Sequence, residues 1–301
     1  MKFSLGSVLP SVDRGWKSLY SVCALQSCQR TLLMRSIQSR VGINVGQLWY
    51  CSVDCFAIAT RKRFSMLSGA SILEMPHHPR MSIGLVMLSK GYLTDEQLRH
   101  AMAESRLHGE ELETVLVRLG LASERQLAVA RAAQWGYPIL GQDYIGLPVE
   151  SDIPPALLHA CTAVPLHCSL AARRYLLGFV YRVEHSLLNS VEQITGFRAE
   201  PCFITATEFR EQMGRLTTVP ECEEVVFEDP NSPVEMANRV AGFAVEVAAR
   251  QADFTQCRDY SWTRLSGKRR MIDLLFRIKN ATENGKQRNF LRTVESFRSF
   301  G

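Results

Sequence analysis

An internal repeat in the middle of the chain constrains the fold more than any other feature. The segment that begins at Ile83 aligns with the segment that begins at Leu112 at a constant offset of 29 residues. Each copy has an apolar run, a glycine, a Thr or Ser, and a second amphipathic run. This order predicts a helix ended by a left-handed glycine and a second helix opened by a capping box. The residues that carry these signals are Gly91 and Gly120 at the helix ends, Thr94 and Ser123 at the N-caps, and Gln97 and Gln126 three residues later. Two such helical hairpins can bury their apolar faces against each other as a small bundle.

Changes in composition and hydrophobic period divide the chain into parts. Two proline-containing segments, 74–79 and 220–233, are predicted linkers because proline stops helices. The remaining parts are 1–75 with a cysteine cluster, 80–145 with the repeat, 146–215 with alternating helices and strands, and 233–280 with an alanine-rich helix followed by strands. We therefore expect an α+β chain: a small zinc module, then a helical bundle of two helix-turn-helix repeats packed with a small α/β subdomain, then a helix plus β-hairpin block.

Within these parts, the hydrophobic patterns predict individual elements. The predicted strands are 163–169, 175–181 and 198–204, and the predicted helices are 153–161, 186–195, 208–215 and 234–252. A β-hairpin is predicted from 254–265 and 270–278, with its turn at Gly267.

Composition excludes several classes of protein. Of the 301 residues, 46% are hydrophobic and 22% are charged, which is typical of a globular chain and excludes wholesale disorder. No run approaches the ~18 apolar residues of a membrane-spanning helix. The first residues lack the long apolar core of a secretory signal, so we expect a cytoplasmic protein.

The net charge of +5 is unevenly distributed. Residues 1–80 contain ten Lys or Arg and three Asp or Glu, a balance of +7, whereas residues 81–301 contain 25 and 27, a balance of −2. The basic segment is either a solvated surface or a site for nucleic acid, anionic lipid or an acidic partner. Two interpretations also apply to the basic run Arg61-Lys62-Arg63: it is either a solvated face or a contact with nucleic acid.

Four of the nine cysteines lie close together near the N-terminus. Their spacing is Cys23-x4-Cys28, twenty-two residues, then Cys51-x3-Cys55. Zinc takes four thiolates at tetrahedral corners, and two close pairs on separate loops supply them. The alternative is a set of buried apolar cysteines. We predict a structural zinc site that supplies folding energy to a small module.

A second group of metal-ligand types is weaker. His159, Cys161, His167 and Cys168 are close in sequence, but they span the end of a predicted helix and a predicted strand, where their side chains diverge. We do not expect these residues to form a second metal site.

The knuckle Tyr50-Cys51-Ser52-Val53-Asp54-Cys55 resembles that of small treble-clef zinc modules. Residues 80–215 resemble the N-terminal domain of type II secretion and type IV pilus assembly ATPases. The segments that carry this second resemblance are Gly84–Leu98, Leu112–Gln134, Trp135-Gly-Tyr-Pro138, Ile153-Pro-Pro-Ala-Leu-Leu158, Ala163-Val-Pro-Leu166, Ser190–Arg198 and Glu200-Pro201. The resemblance implies a domain that docks a motor onto an inner-membrane platform. Residues 233–278 faintly resemble the part of those ATPases that follows.

In one branch of that family the repeat binds cyclic di-GMP, so the resemblance implies candidate contacts here. The corresponding positions are Arg80, Gly84, Leu88, Gly91, Leu98, Leu112, Gly120, Leu127 and Gln134. The sequence departs from the motif because both arginines are missing, with Ser82 and Glu111 in their places. A carboxylate at residue 111 would oppose a phosphate. We therefore favour a repeat whose glycines serve helix packing.

The chain has no Gly-x4-Gly-Lys-Ser/Thr run, which a phosphate-binding loop requires, and no nucleophile elbow, HExxH or Rossmann glycine pattern. The sequence therefore predicts a non-enzymatic adaptor or regulatory protein that acts through protein contacts, with a component of a secretion platform as the expected partner. The alternatives are a cyclic di-GMP sensor and a zinc-dependent nucleic-acid-binding regulator.

Overall fold

The computed structural model describes residues 20–33, 42–69, 80–140, 149–220, 222–229 and 232–278. The predicted linker at 74–79 lies outside these residues. Within the part of the chain that is described, no helix is long and apolar enough to cross a membrane.

The chain combines a helical region with β-rich regions, which makes it an α+β fold. The helices are α1 (Val53–Gly69), α2 (Ile83–Ser89), α3 (Asp95–His108), α4 (Leu112–Arg118), α5 (Glu124–Trp135), α6 (Pro155–Cys161), α7 (His185–Thr195), α8 (Ala206–Met213) and α9 (Pro233–Glu246). The strands are β1 (Tyr20–Val22), β2 (Thr31–Leu33), β3 (Ile43–Val45), β4 (Leu48–Tyr50), β5 (Glu150–Ser151), β6 (Ala163–Ser169), β7 (Arg174–Phe179), β8 (Arg198–Phe203), β9 (Thr217–Thr218), β10 (Cys222–Phe227), β11 (Gln251–Cys257), β12 (Tyr260–Ser266) and β13 (Met271–Arg277).

The helical repeat forms as its sequence predicts. The Thr94 hydroxyl accepts the amide N–H of Gln97 at 3.2 Å, and the Gln97 side chain accepts the N–H of Thr94 at 2.9 Å. Ser123 and Gln126 make the same reciprocal pair at the start of α5. The glycines after α2 and α4 have φ of 70° and 66°, so both helices end as predicted. The two helical hairpins share one apolar core.

The α/β subdomain places helices against a three-stranded sheet of order β6-β7-β8. β6 and β7 are antiparallel, whereas β7 and β8 are parallel. The apolar face of α7 packs on β8 through Leu187 and Val191. α5 also contacts β8, which fixes the second helical repeat against this subdomain.

The N-terminal cysteine segment and the C-terminal block build one sheet. Its six strands have the order β10-β13-β12-β11-β3-β4. β3 joins β11 through a parallel pair of Asn44 with Gln251, and the Asn44 N–H donates to the carbonyl of Arg250 at 2.8 Å. α1 and α9 pack together over one face of the sheet and share its core, which includes Phe56, Phe64 and Val240. Residues 42–69 and 233–278, which belong to segments that we predict as separate units, therefore contribute to one layered structure.

Three details of the C-terminal block differ from the sequence expectation. The predicted helix 234–252 ends at Glu246, and residues 251–252 belong to β11. Residues 222–227, predicted as part of a linker, form β10 and pair in parallel with β13. The predicted strand 254–265 is two strands, because Arg258 adopts a positive φ of 50° and turns the chain. The hairpin of β12 and β13 forms as expected. The turn was missed because Arg258-Asp259 lacks the glycine that usually marks such a reversal.

A buried ionic network joins this sheet to the α/β subdomain. The guanidinium of Arg264 on β12 donates to the Asp273 carboxylate at 2.8 and 2.9 Å and to the Asp152 carboxylate at 2.8 Å. The Tyr175 hydroxyl donates to Asp152 at 2.7 Å, and the Trp262 indole N–H donates to Asp273 at 2.7 Å. These hydrogen bonds link β7 of the α/β subdomain, through Asp152, to β12 and β13 of the six-stranded sheet.

Candidate functional site

The structure brings the four N-terminal cysteines to one point from two loops. Cys23 follows β1, and Cys28 lies in the loop that leads to β2. Cys51 follows β4, and Cys55 lies in the first turn of α1. The N–H of residue 24 donates to the carbonyl of Trp49 at 2.8 Å, which ties the first loop to β4.

The spacing of the four sulfur atoms fits a tetrahedral metal site. All four Sγ atoms lie within 4.8 Å of one another. The Cys28–Cys51 Sγ distance is 3.5 Å, and the Cys51–Cys55 Sγ distance is 3.7 Å. Zinc bound to sulfur at about 2.3 Å requires tetrahedral edges of about 3.8 Å. The donor set and its geometry therefore fit Zn²⁺ with no open coordination position.

The thiols of this cluster differ in their electrostatic surroundings. The backbone N–H of Arg30 and neighbouring thiols lower the pKa of Cys28. Burial and the adjacent thiols raise the pKa of Cys51 to about 12. The Ser52 hydroxyl favours the Cys55 thiolate, but burial and the Cys28 thiol outweigh it and raise the pKa of Cys55. A divalent cation would neutralise the repulsion among four thiolates packed this closely.

The second group of metal-ligand types is not assembled. Among the described residues, the N-terminal thiols are the one set of three or more candidate ligand side chains that converge. Cys161 lies instead against Cys257, with their sulfur atoms 3.7 Å apart in a buried position. His159 packs edge-on against the ring of Phe209, with the ring centroids 6.2 Å apart.

The basic run on α1 is exposed to solvent, although Arg63 also packs against Phe254. Arg63 donates to the carbonyl of Phe254 at 3.2 Å, and its guanidinium lies 5.0 Å from the ring centroid of that residue. Burial lowers the pKa of Arg63. The side chains of Arg61 and Lys62 are exposed. One of the three cations proposed to contact nucleic acid therefore has a packing role.

Most candidate nucleotide positions serve helix packing. Leu98 and Leu127 are buried in the core of the repeat, and Leu88 and Leu112 pack against it. A Cβ atom at Gly84 would lie 2.8 Å from a methyl group of Leu98, so this glycine permits close helix contact. Gly91 and Gly120 are exposed glycines that end helices, as described above.

The first and last candidate positions in the sequence, Arg80 and Gln134, contact other residues of the chain. The guanidinium of Arg80 lies 3.4 Å from the ring centroid of Trp135, a cation–π contact. The Gln134 amide donates to the carbonyl of Met81 at 2.5 Å. These contacts fasten the start of α2 to the end of α5.

The second repeat contains an ion pair that we did not anticipate from the sequence. Glu113 and Arg131 are joined by a short contact, and Arg131 also donates to the carbonyl of Val180 at 2.9 Å. The guanidinium lies 5.0 Å from the ring centroid of Tyr181, and burial lowers the pKa of Arg131 to about 10. The 29-residue offset places Gly84 and Met102 at the equivalent positions of the first repeat. Both positions of the second copy thus carry a charge where the first copy has none. This paired difference is the sequence signal from which the ion pair could have been predicted.

The two repeats consequently present equivalent faces to different environments. On α5, Arg131 is 5% exposed and Ala132 is buried against the α/β subdomain. On α3, the equivalent Met102 is 38% exposed, and Ala103 and Arg106 are exposed beside it. Among the residues that the structure describes, one copy of this face is covered and the other copy is exposed.

Comparison with known proteins agrees with the resemblance stated from the sequence. Over 129 residues the chain is 30% identical to the type IV pilus assembly ATPase PilB of Thermus thermophilus. This match covers 42% of the chain and 14% of PilB, so the chain corresponds to a small part of that protein. No family model matches the chain.

The comparison with solved structures finds partial matches to two chains. The structure of MshE with cdg is 17% identical, covers 45% of this chain and 99% of that chain, and has a TM-score of 0.37. The N-terminal domain of XpsE is 24% identical, with coverages of 44% and 92% and a TM-score of 0.35. The 129-residue match shows that the chain contains a segment similar to part of a type IV pilus assembly ATPase.

Proposed function

We propose that this chain is an adaptor that docks onto another protein through its helical repeat. The observation that carries the proposal is the unequal coverage of the two repeats. The α5 face around Arg131 is covered by the segment that contains Val180 and Tyr181, whereas the equivalent α3 face around Met102 is exposed. A repeat face that carries an exposed Met102 and stays uncovered within the described part of the chain is suited to a partner.

The partner that we propose is a component of a secretion or pilus platform. The proposal is supported by the 129-residue match to a pilus assembly ATPase, which spans 14% of that protein. The adaptor would offer the docking segment without the motor, because the sequence has no phosphate-binding loop. We therefore propose that the chain does not hydrolyse ATP.

Site-specific photo-crosslinking tests this docking face. A photoreactive amino acid in place of Met102 should give an adduct that contains a platform component in cells that produce the full chain. The matched control is the same replacement at Leu170, an exposed apolar residue at the β6–β7 turn, which should give no such adduct. Equal yields from both positions, or no platform component from position 102, would contradict the proposal.

We also propose that Cys23, Cys28, Cys51 and Cys55 bind one structural zinc ion. The support is the sulfur geometry, with Sγ distances of 3.5 and 3.7 Å against about 3.8 Å for a zinc tetrathiolate. The metal would supply folding energy and fix the two loops to each other. These residues hold the module in shape, and the docking surface lies elsewhere.

The alternative function, a cyclic di-GMP sensor, is disfavoured by the contacts of the repeat. Glu113 and Arg131 form an ion pair with each other, and the guanidinium of Arg80 is stacked on the ring of Trp135. Glu111 would place a carboxylate beside a phosphate. We expect no saturable heat when metal-loaded protein is titrated calorimetrically with cyclic di-GMP. A dissociation constant near 1 μM, about −8 kcal/mol, would make the sensor the better hypothesis.

A further inference from the structure

The four clustered thiols differ in their access to solvent. Cys23, Cys51 and Cys55 are only 4%, 6% and 9% exposed. Cys28 is half-buried, and the residues on both sides of it in the loop, 27 and 29, are exposed. The susceptibility of a thiolate to oxidation follows its exposure, so a small oxidant dissolved in water reaches Cys28 before the other three sulfur atoms.

The Cys28 sulfur also touches a second thiol, which comes from the other loop. It lies 3.5 Å from the Cys51 sulfur, although the two residues are 23 positions apart in sequence. Cys161 and Cys257 also contact each other, but they are 3% and 0% exposed. Among the nine cysteines, all of which lie in described parts of the chain, Cys28 is the one that is both half-buried and in contact with another thiol.

We propose that Cys28 is an oxidation site at which hydrogen peroxide opens the metal cluster. The proposal rests on the zinc site proposed above. The Cys28 thiolate attacks one oxygen of the peroxide, so that the O–O bond breaks, a sulfenic acid forms on Cys28 and hydroxide leaves. The Cys51 thiolate then attacks the Cys28 sulfur, so that the S–O bond breaks, a disulfide forms and a second hydroxide leaves. Two thiolates are oxidised, one peroxide is reduced, and two protons from solvent convert the hydroxides to water.

This oxidation would act on the fold through the elements that carry the cluster. The disulfide removes two of the four ligands, which leaves a site that binds zinc far more weakly. Cys51 follows β4, and α1 begins two residues later. α1 in turn carries Phe56 and Phe64 into the core that it shares with the six-stranded sheet. Oxidation at Cys28 therefore loosens β4 and α1 from that sheet, which makes the module a redox-sensitive part of the chain.

Peroxide treatment of the full, zinc-loaded chain tests this proposal. A limiting dose of hydrogen peroxide should release the zinc, which a zinc-sensitive dye detects, and dithiothreitol with added zinc should restore the bound metal. Mass spectrometry of peptides from the oxidised chain should find Cys28 joined to Cys51. Zinc release with a different first disulfide, or with Cys28 still reduced, would overturn the proposal.

Two histidine variants provide a matched comparison. Cys28→His replaces the half-buried thiolate with an imidazole, which binds zinc but forms no sulfenic acid. This variant should release its zinc at least about tenfold more slowly in peroxide than the unmodified chain does. Cys23→His makes the same change at a buried ligand and should release zinc at the rate of the unmodified chain. Equal release rates for the two variants would contradict the assignment of Cys28.

Metal analysis before peroxide is added separates this proposal from the zinc proposal. A chain without zinc would overturn both proposals, whereas a chain that keeps its zinc in peroxide would overturn only the oxidation site. If a histidine variant binds no zinc, alkylation of the unmodified chain after a limiting dose of peroxide supplies the test. Cys28 and Cys51 should become protected from alkylation before Cys23 does. Earlier protection of Cys23, or of the half-buried Cys168, would count against the proposal.

Discussion

Serine in place of Cys51 is expected to abolish metal binding and unfold residues 20–69. The Cys51 sulfur lies 3.5 Å from that of Cys28 and 3.7 Å from that of Cys55, so its loss removes the central ligand of the cluster. Structural zinc contributes apparent binding free energies of about 10–16 kcal/mol in small modules. This is comparable to the entire stability of a domain, about 5–15 kcal/mol.

Elemental analysis and hydrogen exchange provide the measurements for this variant. The unmodified chain should hold one zinc per chain, and the variant much less. Backbone amides of β3, β4 and α1 should lose protection, whereas those of β6, β7 and α7 should keep it because their core is separate. Cys168→Ser is the control, since that half-buried thiol lies outside the cluster and its replacement should change stability by less than about 1 kcal/mol. Full protection and full zinc content in the Cys51 variant would refute the metal assignment.

A second large effect is expected from Arg264→Met. The substitution leaves the carboxylates of Asp152 and Asp273 without the guanidinium that both contact. Removing one partner of a buried ion pair costs about 3–5 kcal/mol, because the remaining charge is desolvated and unpaired. Chemical denaturation should therefore show a markedly lower midpoint, with the loss shared by the sheet and the α/β subdomain.

The matched control for this prediction is Arg270→Met. Arg270 pairs with Glu223 at 2.5 Å, but both side chains are about half exposed. Exposed pairs contribute about 0–1 kcal/mol, so this variant should be nearly as stable as the unmodified chain. Equal destabilisation by the two variants would contradict the prediction, because it would mean that unpairing the buried carboxylates of Asp152 and Asp273 costs no more than unpairing an exposed one.

Local signals in the sequence account for the parts of the fold that were predicted correctly. The capping boxes of Thr94 with Gln97 and of Ser123 with Gln126 involve residues three apart, so the spacing alone specifies them. The four-cysteine cluster follows from two short-range pairs with soft ligands. The expectation that the repeat glycines serve packing also rests on local pattern. A Cβ atom at Gly84 would lie 2.8 Å from Leu98, whereas a Cβ atom at Gly91 or Gly120 would meet nothing within 4 Å.

Other features depend on residues far apart in sequence. β10 was missed because an edge strand rich in Glu resembles a polar linker, and its partner β13 begins 49 residues after β10 starts. The pairing of Glu113 with Arg131 required two helices to be placed face to face. Sequence periodicity records which side of an element is apolar, but it does not record which element covers it.

The amino-acid sequence by itself determined the helical repeat, its caps, the candidate zinc ligands and the lack of a phosphate-binding loop. The tertiary structure decided that the cysteine module completes the C-terminal sheet through Asn44 and Gln251, and that Arg264 bridges Asp152 and Asp273. It also decided which repeat face remains open. The physical reason is range: caps and ligand pairs are set by neighbours along the chain, whereas sheet order and charge burial are set by contacts that form only when distant segments pack.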